Sequence, residues 1–175
     1  MSAWKPFRKD PNAEGATALY AAIVSQARRP GFYAGGGVPD SIDGRFEMIV
    51  MHSYLVLSRL RQAGEAGRDL AQSLVDALFA DLDASLREMG AGDLGVGKRV
   101  KRMATAFYGR VAAYEEGERA GMMGEALRRN LFGTAEPDAA QLAAMTDYVE
   151  AARCALAAQP LGSIAKAELN FPARD

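Results

Sequence analysis

The sequence has 175 residues, of which 49% are hydrophobic and 25% are charged, and its net charge is −1. This is the composition of an ordinary folded protein that is long enough to bury a sizeable core. A charge so close to zero excludes an overall attraction to nucleic acid or to an anionic membrane, and leaves only local patches. The single cysteine, Cys154, excludes an internal disulfide and fits a reducing compartment. We expect its side chain to be buried in a helix.

Hydropathy predicts no transmembrane segment. The longest apolar run, residues 46–57, includes Glu47 and His52, and it is shorter than the roughly 20 residues that a membrane-spanning helix needs. The N-terminus lacks the apolar core of a signal peptide. We therefore expect a cytoplasmic protein whose contact with a membrane, if it makes one, is peripheral at the cytoplasmic face.

The first predicted helix follows Asp10-Pro11, a cap and a proline that suit a first turn, and ends before Pro30. Its apolar positions repeat at helical spacing: Ala16, Leu19, Tyr20, Ile23, Val24 and Ala27. Residues 31–44 then predict a long irregular connection, with Asp43 as the cap of the next helix. We expect this loop to be ordered, because four apolar side chains can hold it to the core: Phe32, Tyr33, Val38 and Ile42.

Glycines, prolines and capping residues set the bounds of the later helices. They predict a second helix over about 45–62, ended by Gly64 and Gly67, and a third from about Asp69 to Gly90. A fourth helix begins at Asp93, and a short fifth ends at Gly133. The last helix runs from the Asp138–Gln141 capping box to Pro160. The second is apolar nearly all round, which is typical of a central helix.

The third and fourth predicted helices each carry one apolar stripe. Their stripes are Leu70, Leu74, Leu78, Leu82, Leu86 and Met89 on the third, and Val96, Val100, Met103, Phe107, Val111 and Tyr114 on the fourth. We find no convincing alternating strand pattern. The sequence thus predicts an all-α fold, one compact domain over residues 1–175 with about six helices and a long ordered loop between the first two. The tail, residues 160–175, is expected to be peripheral and held by Ile164, Leu169 and Phe171.

Few residues are suited to catalysis or to metal binding. The only histidine, His52, has no histidine or cysteine partners for a transition-metal site, so we expect a hydrogen-bonded histidine in the core or in a groove. Four carboxylates lie on the third helix: Asp76, Asp81, Asp83 and Glu88. Asp76 and Asp83 are seven residues apart and share a helix face, and a small-molecule enzyme could use such a pair of carboxylates. However, Asp83 and Arg87 also have the spacing of an ordinary salt bridge. We therefore expect no enzyme, no metal and no cofactor, with the carboxylate enzyme as the alternative.

The glycine-rich stretch 90–97 lacks the lysine and the hydroxyl residue of a phosphate-binding loop, and its glycines fit a helix end better. The basic cluster Lys98, Arg99, Lys101 and Arg102 is the strongest local charge. It is either a solvated helix face or a contact, through Lys98, Lys101 and Arg102, with an anionic partner such as ribosomal RNA, lipid headgroups or an acidic protein.

Methionines are a further candidate for binding, because their side chains adapt to varied apolar partners. The pair Met122-Met123, flanked by glycines, is either core or the movable edge of a groove.

Five phrases of the sequence are informative in combination: ARRPGFY (Ala27–Tyr33), VPDSIDGRFEM (Val38–Met48), LSRLR (Leu57–Arg61), FADLDASLREMGAGDLGVGKRVKRM (Phe79–Met103) and AFYGRVAAY (Ala106–Tyr114). Together these phrases resemble the ubiquinol–cytochrome c chaperones, assembly factors of the cytochrome bc1 complex. The phrases cover most of residues 16–116. The resemblance implies a helical, non-catalytic assembly chaperone that binds newly made cytochrome b. Mitochondrial members work with a small partner protein at the ribosomal tunnel exit; this sequence, without a targeting extension, resembles a bacterial member.

We expect the loop and the third and fourth helices to form the client-binding surface. The expected client-binding residues are Tyr33, Pro39, Asp40, Arg45, Phe46, Asp83, Arg87, Met103, Tyr108, Arg110 and Tyr114. In this hypothesis the charged ones form the polar walls of a groove, and aromatic and methionine side chains supply apolar contact. Changing Tyr108 or Arg110 to alanine should then weaken client capture with little loss of fold.

Overall fold

The structure is a computed structural model that describes residues 12–88, 93–133 and 135–174, with the side chains of 93 and 94 excepted. Within these residues every regular element is a helix, which confirms the all-α prediction. There are α1 (Ala13–Ala27), α2 (Gly31–Ala34), α3 (Ile42–Gln62), α4 (Glu65–Glu88), α5 (Asp93–Ala120), α6 (Met123–Asn130), α7 (Ala139–Ala158) and α8 (Leu161–Ala165). Six of them have eight or more residues, as expected; α2 and α8 are short additions.

Helix α3 lies at the centre of the described fold. It packs against α1, α4, α5 and α7, and all residues from 50 to 57 are buried. An apolar surface that runs nearly all round a helix has to be covered from several sides, which is the reason for this position. None of the described helices combines the length and the apolar character that are needed to cross a bilayer.

The connection between α1 and α3 is shorter and more regular than predicted. Its first residues form α2, and α3 begins three residues earlier than expected, at Ile42. Ser41, and not Asp43, caps α3, because the Ser41 hydroxyl accepts a hydrogen bond of 3.1 Å from the backbone N–H of Gly44. The expected cap at Asp10 lies outside the described residues.

The same connection is held to the core, but by fewer side chains than predicted. Phe32 and Val38 are buried, with 0% and 2% of their surface exposed, and Tyr33 is half-buried. Ile42 is 76% exposed, so its predicted role in holding the loop is wrong. It occupies the first turn of α3 on the solvent side.

Two glycines between α3 and α4 have different roles. Gly64 has a φ of +63°, a conformation that glycine adopts most easily, and it separates the helices. Gly67 lies inside α4, which begins at Glu65 instead of near Asp69. A Cβ atom on Gly67 would lie 2.1 Å from the carbonyl oxygen of Leu60. Gly67 therefore permits the close approach of α4 to α3, and only Gly64 is a helix breaker.

Helix α5 runs through Gly117 to Ala120. Gly117 is buried where α6 crosses, since a Cβ atom there would lie 2.8 Å from the Cβ of Ala126. The predicted apolar stripe of α5 faces α4 and the core, although Val100 and Met103 are only half-buried. Gly90, the predicted end of the third helix, lies outside the described residues; α4 is described to Glu88.

The last part of the fold agrees with its prediction. Asp138 and Gln141 form a capping box at the start of α7, with hydrogen bonds of 2.7 and 3.0 Å. In the tail, Ile164 is fully buried, and Leu169 and Phe171 pack against the core. Cys154 is exposed, so the expectation that it is buried is wrong.

Candidate functional site

An open cleft lies between the end of α1 and the start of α3, and we call it the loop cleft. Its volume is about 420 Å³, and it is lined by Arg28, Pro30, Tyr33, Ala34, Asp40 and Arg45. Three of the predicted client-binding residues thus meet here. The Tyr33 hydroxyl donates a hydrogen bond of 2.7 Å to the carbonyl oxygen of Ala27, which fixes the ring at the wall of the cleft.

The loop cleft carries a small excess of positive charge. Arg45 forms an ion pair of 2.7 Å with Asp40, and both side chains are more than half exposed. The hydrogen bond from Arg45 holds the pKa of the Asp40 carboxyl below its usual value. Arg28 adds a further cation to the lining. The cleft can therefore receive a carboxylate or a carbonyl-rich segment next to the Tyr33 ring.

A second open cleft, which we call the tyrosine cleft, lies where the end of α3 and the start of α4 meet α5. Its volume is about 410 Å³, and it is lined by Leu57, Arg61, Gly64, Arg68, Ala71, Gln72, Val75, Phe107, Tyr108 and Val111. The lining is mostly apolar, with two arginines at one side. Tyr108 is 56% exposed, an unusual degree for a large hydrophobic residue.

Aromatic contacts hold Tyr108 in place. Its ring centre lies 5.3 Å from that of Phe107 and 6.1 Å from that of Phe79 on α4. Phe79 also contacts Phe107 edge-on at 5.6 Å. Such a cluster presents the Tyr108 ring as a rigid apolar contact with a polar hydroxyl, which is a common arrangement in protein interfaces.

The predicted client-binding residues do not all line one cleft. Asp83 and Arg87 form an exposed salt bridge of 2.6 Å between consecutive turns of α4 and line neither cleft. Three further predicted residues are half-buried and line neither cleft: Pro39, Phe46 and Met103. The sequence analysis did not select Arg61 or Arg68, which line the tyrosine cleft; the LSRLR phrase includes Arg61, and no phrase includes Arg68. Of the predicted client-binding residues, three therefore line the loop cleft, and Tyr108 lines the tyrosine cleft.

Two predicted contact residues are structural. Tyr114 is fully buried, and its hydroxyl has no hydrogen-bond partner among the described residues, so it cannot touch a client at the surface. Arg110 Nε donates to both carboxylate oxygens of Glu47 at 2.9 Å, and the two side chains are only 33% and 12% exposed. Burial raises the pKa of Glu47, while Arg110 opposes the shift. Removal of Arg110 should therefore weaken the fold, contrary to the expectation from sequence.

The carboxylates of α4 have ordinary partners. Asp81 accepts a hydrogen bond of 2.9 Å from the Tyr20 hydroxyl, and Asp76 accepts one of 2.9 Å from Gln72. Neither residue lines either cleft. Within the described ranges, no group of three or more metal-ligating side chains occurs. This arrangement gives no support to the carboxylate enzyme.

His52 is a core histidine, as one of the two readings of the sequence predicted. It is fully buried, and its Nδ1 and Nε2 atoms lie 2.8 Å from the Met48 carbonyl oxygen and the Tyr148 hydroxyl. Gln26 also donates to the Tyr148 hydroxyl, at 2.9 Å. Burial lowers the pKa of His52 to about 4. The imidazole is therefore neutral in the folded protein near pH 7 and joins α1, α3 and α7.

The remaining sequence candidates lie at the surface. Lys98, Arg99, Lys101 and Arg102 are all exposed on α5. The two residues of the methionine pair differ in exposure: Met122 is 53% exposed, whereas Met123 is 4% exposed and belongs to the core. Met122 lines neither cleft, so the pair does not form the edge of the sites described above.

Comparison with known proteins places the fold in a family. The sequence profile of the ubiquinol-cytochrome C chaperone family matches residues 35–171. Ubiquinol-cytochrome-c reductase complex assembly factor 1 from Xenopus laevis is 24% identical over 135 residues, which cover 75% of this chain and 66% of that protein. Protein CBP3 of Saccharomyces cerevisiae mitochondria is 31% identical over 107 residues, 58% of this chain and 32% of that protein. The matches thus span from about a third to two thirds of these relatives' length.

A solved structure agrees over nearly the whole chain. The crystal structure of the Cbp3 homolog from Brucella abortus has a TM-score of 0.79 and 36% sequence identity, and the match covers 93% of this chain and 91% of that one. The profile match extends well beyond residue 116, where the resemblance of phrases ended. This chain is a member of the ubiquinol–cytochrome c chaperone family.

Proposed function

We propose that the protein binds newly made cytochrome b and promotes assembly of the ubiquinol–cytochrome c reductase (bc1) complex without catalysing a reaction. Family membership supports the assembly role, and relatives carry the name of assembly factors for this complex. The observation that supports client binding is the tyrosine cleft, which exposes an aromatic ring beside an apolar lining on a rigid helical body.

The chemistry of the tyrosine cleft suits an apolar helical segment. Leu57, Val75 and Val111 contribute apolar surface, and the side chain of Tyr108 stands beside them. A helix that is destined for a membrane exposes such side chains on every face before its partners arrive, so it gains free energy by burying some of them in a groove. Arg61 and Arg68 pair with Glu115 and Glu65, and their remaining N–H groups can donate hydrogen bonds to carbonyl groups at the end of that helix.

The loop cleft is a second contact in this proposal. Tyr33, Asp40 and Arg45 offer a ring with adjacent charges of both signs, which suits a polar loop that flanks a transmembrane helix. Because both charges are exposed, each contributes mainly to orientation and less to affinity.

The place of action follows from the client. Cytochrome b is inserted into a membrane, so we propose that the protein works in the cytoplasm at the face of that membrane. A small partner protein or the ribosome can share the task.

The test is capture of cytochrome b made by cell-free translation on the tagged protein. Tyr108→Ala should lower capture at least about tenfold, because exposed aromatic anchors often contribute 2 kcal/mol or more to binding. Met122→Ala is the matched control, since Met122 is equally exposed and lines neither cleft.

Three outcomes would contradict parts of the proposal. If the unaltered protein captures no cytochrome b above an unrelated membrane protein, the function is wrong. Full capture by Tyr108→Ala with a normal melting temperature would exclude the tyrosine cleft. Equal losses in Tyr108→Ala and Met122→Ala would indicate nonspecific apolar association.

A further inference from the structure

The N-terminal part of α5 carries a concentrated positive charge that no contact among the described residues explains. Four of the five residues at positions 98–102 are Lys98, Arg99, Lys101 and Arg102, in a protein whose net charge is −1. All four side chains are exposed. We call this group the cationic face.

Several arginines elsewhere in the structure have acidic partners. Arg110 pairs with Glu47 and Arg87 with Asp83, but the cationic face forms no ion pair with any residue that the structure describes. Its sequence gives a reason, because residues 94–106 contain neither aspartate nor glutamate. Partners at the usual spacing of three or four residues along the helix are therefore absent. The charges repel one another and are not needed to hold helices together.

The shape of the cationic face indicates what it can bind. At about 100° per residue, its four side chains spread over an arc of roughly 160°, opposite the buried Val96 and Phe107. The surface is the outer, convex side of a helix. The exposed Gly95 and Gly97 lie beside it, and a Cβ atom on either would meet nothing within 4 Å. Such an open, convex surface fits an extended charged plane better than it fits a ligand that needs a pocket.

Nucleic acid is the less suitable partner for this surface. Proteins that bind single-stranded RNA combine cations with exposed aromatic rings on which bases stack. Along α5, Phe107 is buried, and Tyr108 belongs to the tyrosine cleft, about 9 Å along the helix axis from Arg102. Long, flexible cationic side chains without rings are typical of contacts with lipid headgroups.

We propose that the cationic face binds the anionic lipid surface of the membrane into which the client is inserted. The choice of a membrane rests on the proposed function, since a client that is a membrane protein brings its chaperone to that surface. Diffuse attraction of this kind requires charge but no particular hydrogen-bond geometry. It weakens with salt, because the Debye length falls from about 10 Å at 0.1 M to about 3 Å at 1 M.

The experiment is flotation of the full chain with vesicles that contain phosphatidylglycerol and phosphatidylcholine, compared with vesicles of phosphatidylcholine alone. Binding should require phosphatidylglycerol and disappear in 0.5 M NaCl. The triple variant Lys98→Gln, Lys101→Gln, Arg102→Gln should bind on the order of a hundredfold less, at about fivefold for each cation.

Two control variants separate the local face from overall charge and from folding. Arg119→Gln, Arg128→Gln, Lys166→Gln removes the same charge from exposed positions elsewhere and should bind vesicles nearly as well as the unaltered protein. Lys98→Arg, Lys101→Arg, Arg102→Lys keeps the charge and should bind fully, because a lipid surface responds to charge and not to one side-chain geometry.

Several results would overturn the proposal. They are no binding to phosphatidylglycerol vesicles, equal binding to neutral vesicles, or equal losses in the two glutamine variants. Binding of a single-stranded RNA that depends on the cationic face, without vesicle binding, would make it a nucleic-acid surface. The vesicles contain no client, so failure here leaves the cytochrome b capture test unaffected.

Discussion

The polar groups along α3 and the cations at the start of α5 differ in what satisfies them. On α3, Glu47 pairs with Arg110, His52 with Tyr148, and Tyr54 donates a hydrogen bond of 2.5 Å to Glu118. Each of these partners comes from another helix. The cations of the cationic face have no partner among the described residues, although they lie on the same helix as Arg110 and Glu118.

This difference separates charge that serves the fold from charge that is free for a partner. A buried polar group whose partner is removed costs the full free energy of its desolvation, whereas an exposed cation costs almost nothing to replace. Stability measurements should therefore distinguish the two regions clearly, and three predictions test this in order of decreasing effect.

The largest effect is expected at the partly buried pair between α3 and α5. Arg110→Ala should lower the free energy of unfolding by about 2 to 3 kcal/mol, because Glu47 is left with its charge in a poorly solvated position. Urea denaturation measures this. Arg119→Ala is the matched control, since its salt bridge with Glu116 is exposed and should contribute less than about 1 kcal/mol.

A double variant tests whether Arg110→Ala destabilises the protein through the unpaired charge of Glu47 or only through lost packing. Combining Glu47→Gln with Arg110→Ala removes the unpaired charge, so the double variant should recover a good part of the lost stability. If it is as unstable as Arg110→Ala alone, or if Arg119→Ala costs as much, the pair is not the structural contact that we describe.

The second effect depends on pH and concerns His52. Burial lowers its pKa from 6.5 to about 4, so the unfolded chain takes up a proton below pH 6.5 while the folded protein stays neutral. The stability from the neutral imidazole is complete above pH 6.5 and is lost as pH falls towards 4. Between pH 7 and pH 5 the loss should be about 2 kcal/mol.

Urea denaturation at several pH values measures the slope, and His52→Gln isolates the contribution of this one histidine. Carboxylates titrate in both proteins, so only the difference between the two slopes belongs to His52. Equal slopes between pH 7 and pH 5 would show that the imidazole is protonated or exposed in the folded protein.

The smallest effect is expected at the cationic face. The triple glutamine variant of Lys98, Lys101 and Arg102 should change the free energy of unfolding by no more than about 0.5 kcal/mol, and the change should be a gain at low salt. Lys98 lies three residues before Lys101 and four before Arg102, and like charges at these spacings repel each other and destabilise a helix. A loss of more than about 1 kcal/mol would show that these cations stabilise the fold, and the contrast with α3 would fail.

Much of the fold could be predicted from periodicity and from capping residues. The central position of α3 followed from its apolar circumference, and the start of α7 from Asp138 and Gln141. One error occurred where tertiary contact decides: Gly67 was interpreted as a helix breaker, yet it is a glycine because α4 approaches α3 closely there. Sequence spacing alone cannot distinguish these two uses of glycine.

The candidate site was less predictable than the fold. Resemblance of phrases selected Tyr33, Arg45 and Tyr108, which do line clefts, together with Tyr114, which is buried. A family's shared residues include those that maintain its core as well as those that bind, and a phrase does not separate them. Which side chains share one cleft depends on how α3, α4 and α5 cross, and no single helix encodes that crossing.

Residues near the C-terminus, which are synthesised last, contact the aromatic group around His52. The ring of Phe171 lies 5.2 Å from that of His52, and Gln26 Nε2 donates a hydrogen bond of 3.4 Å to the carbonyl oxygen of Pro172. The aromatic group around α3 is therefore closed by residues that the ribosome adds about 120 positions after His52. Until then the imidazole can be only partly enclosed. The protein thus completes its own interior only after residue 172 has been added to the chain.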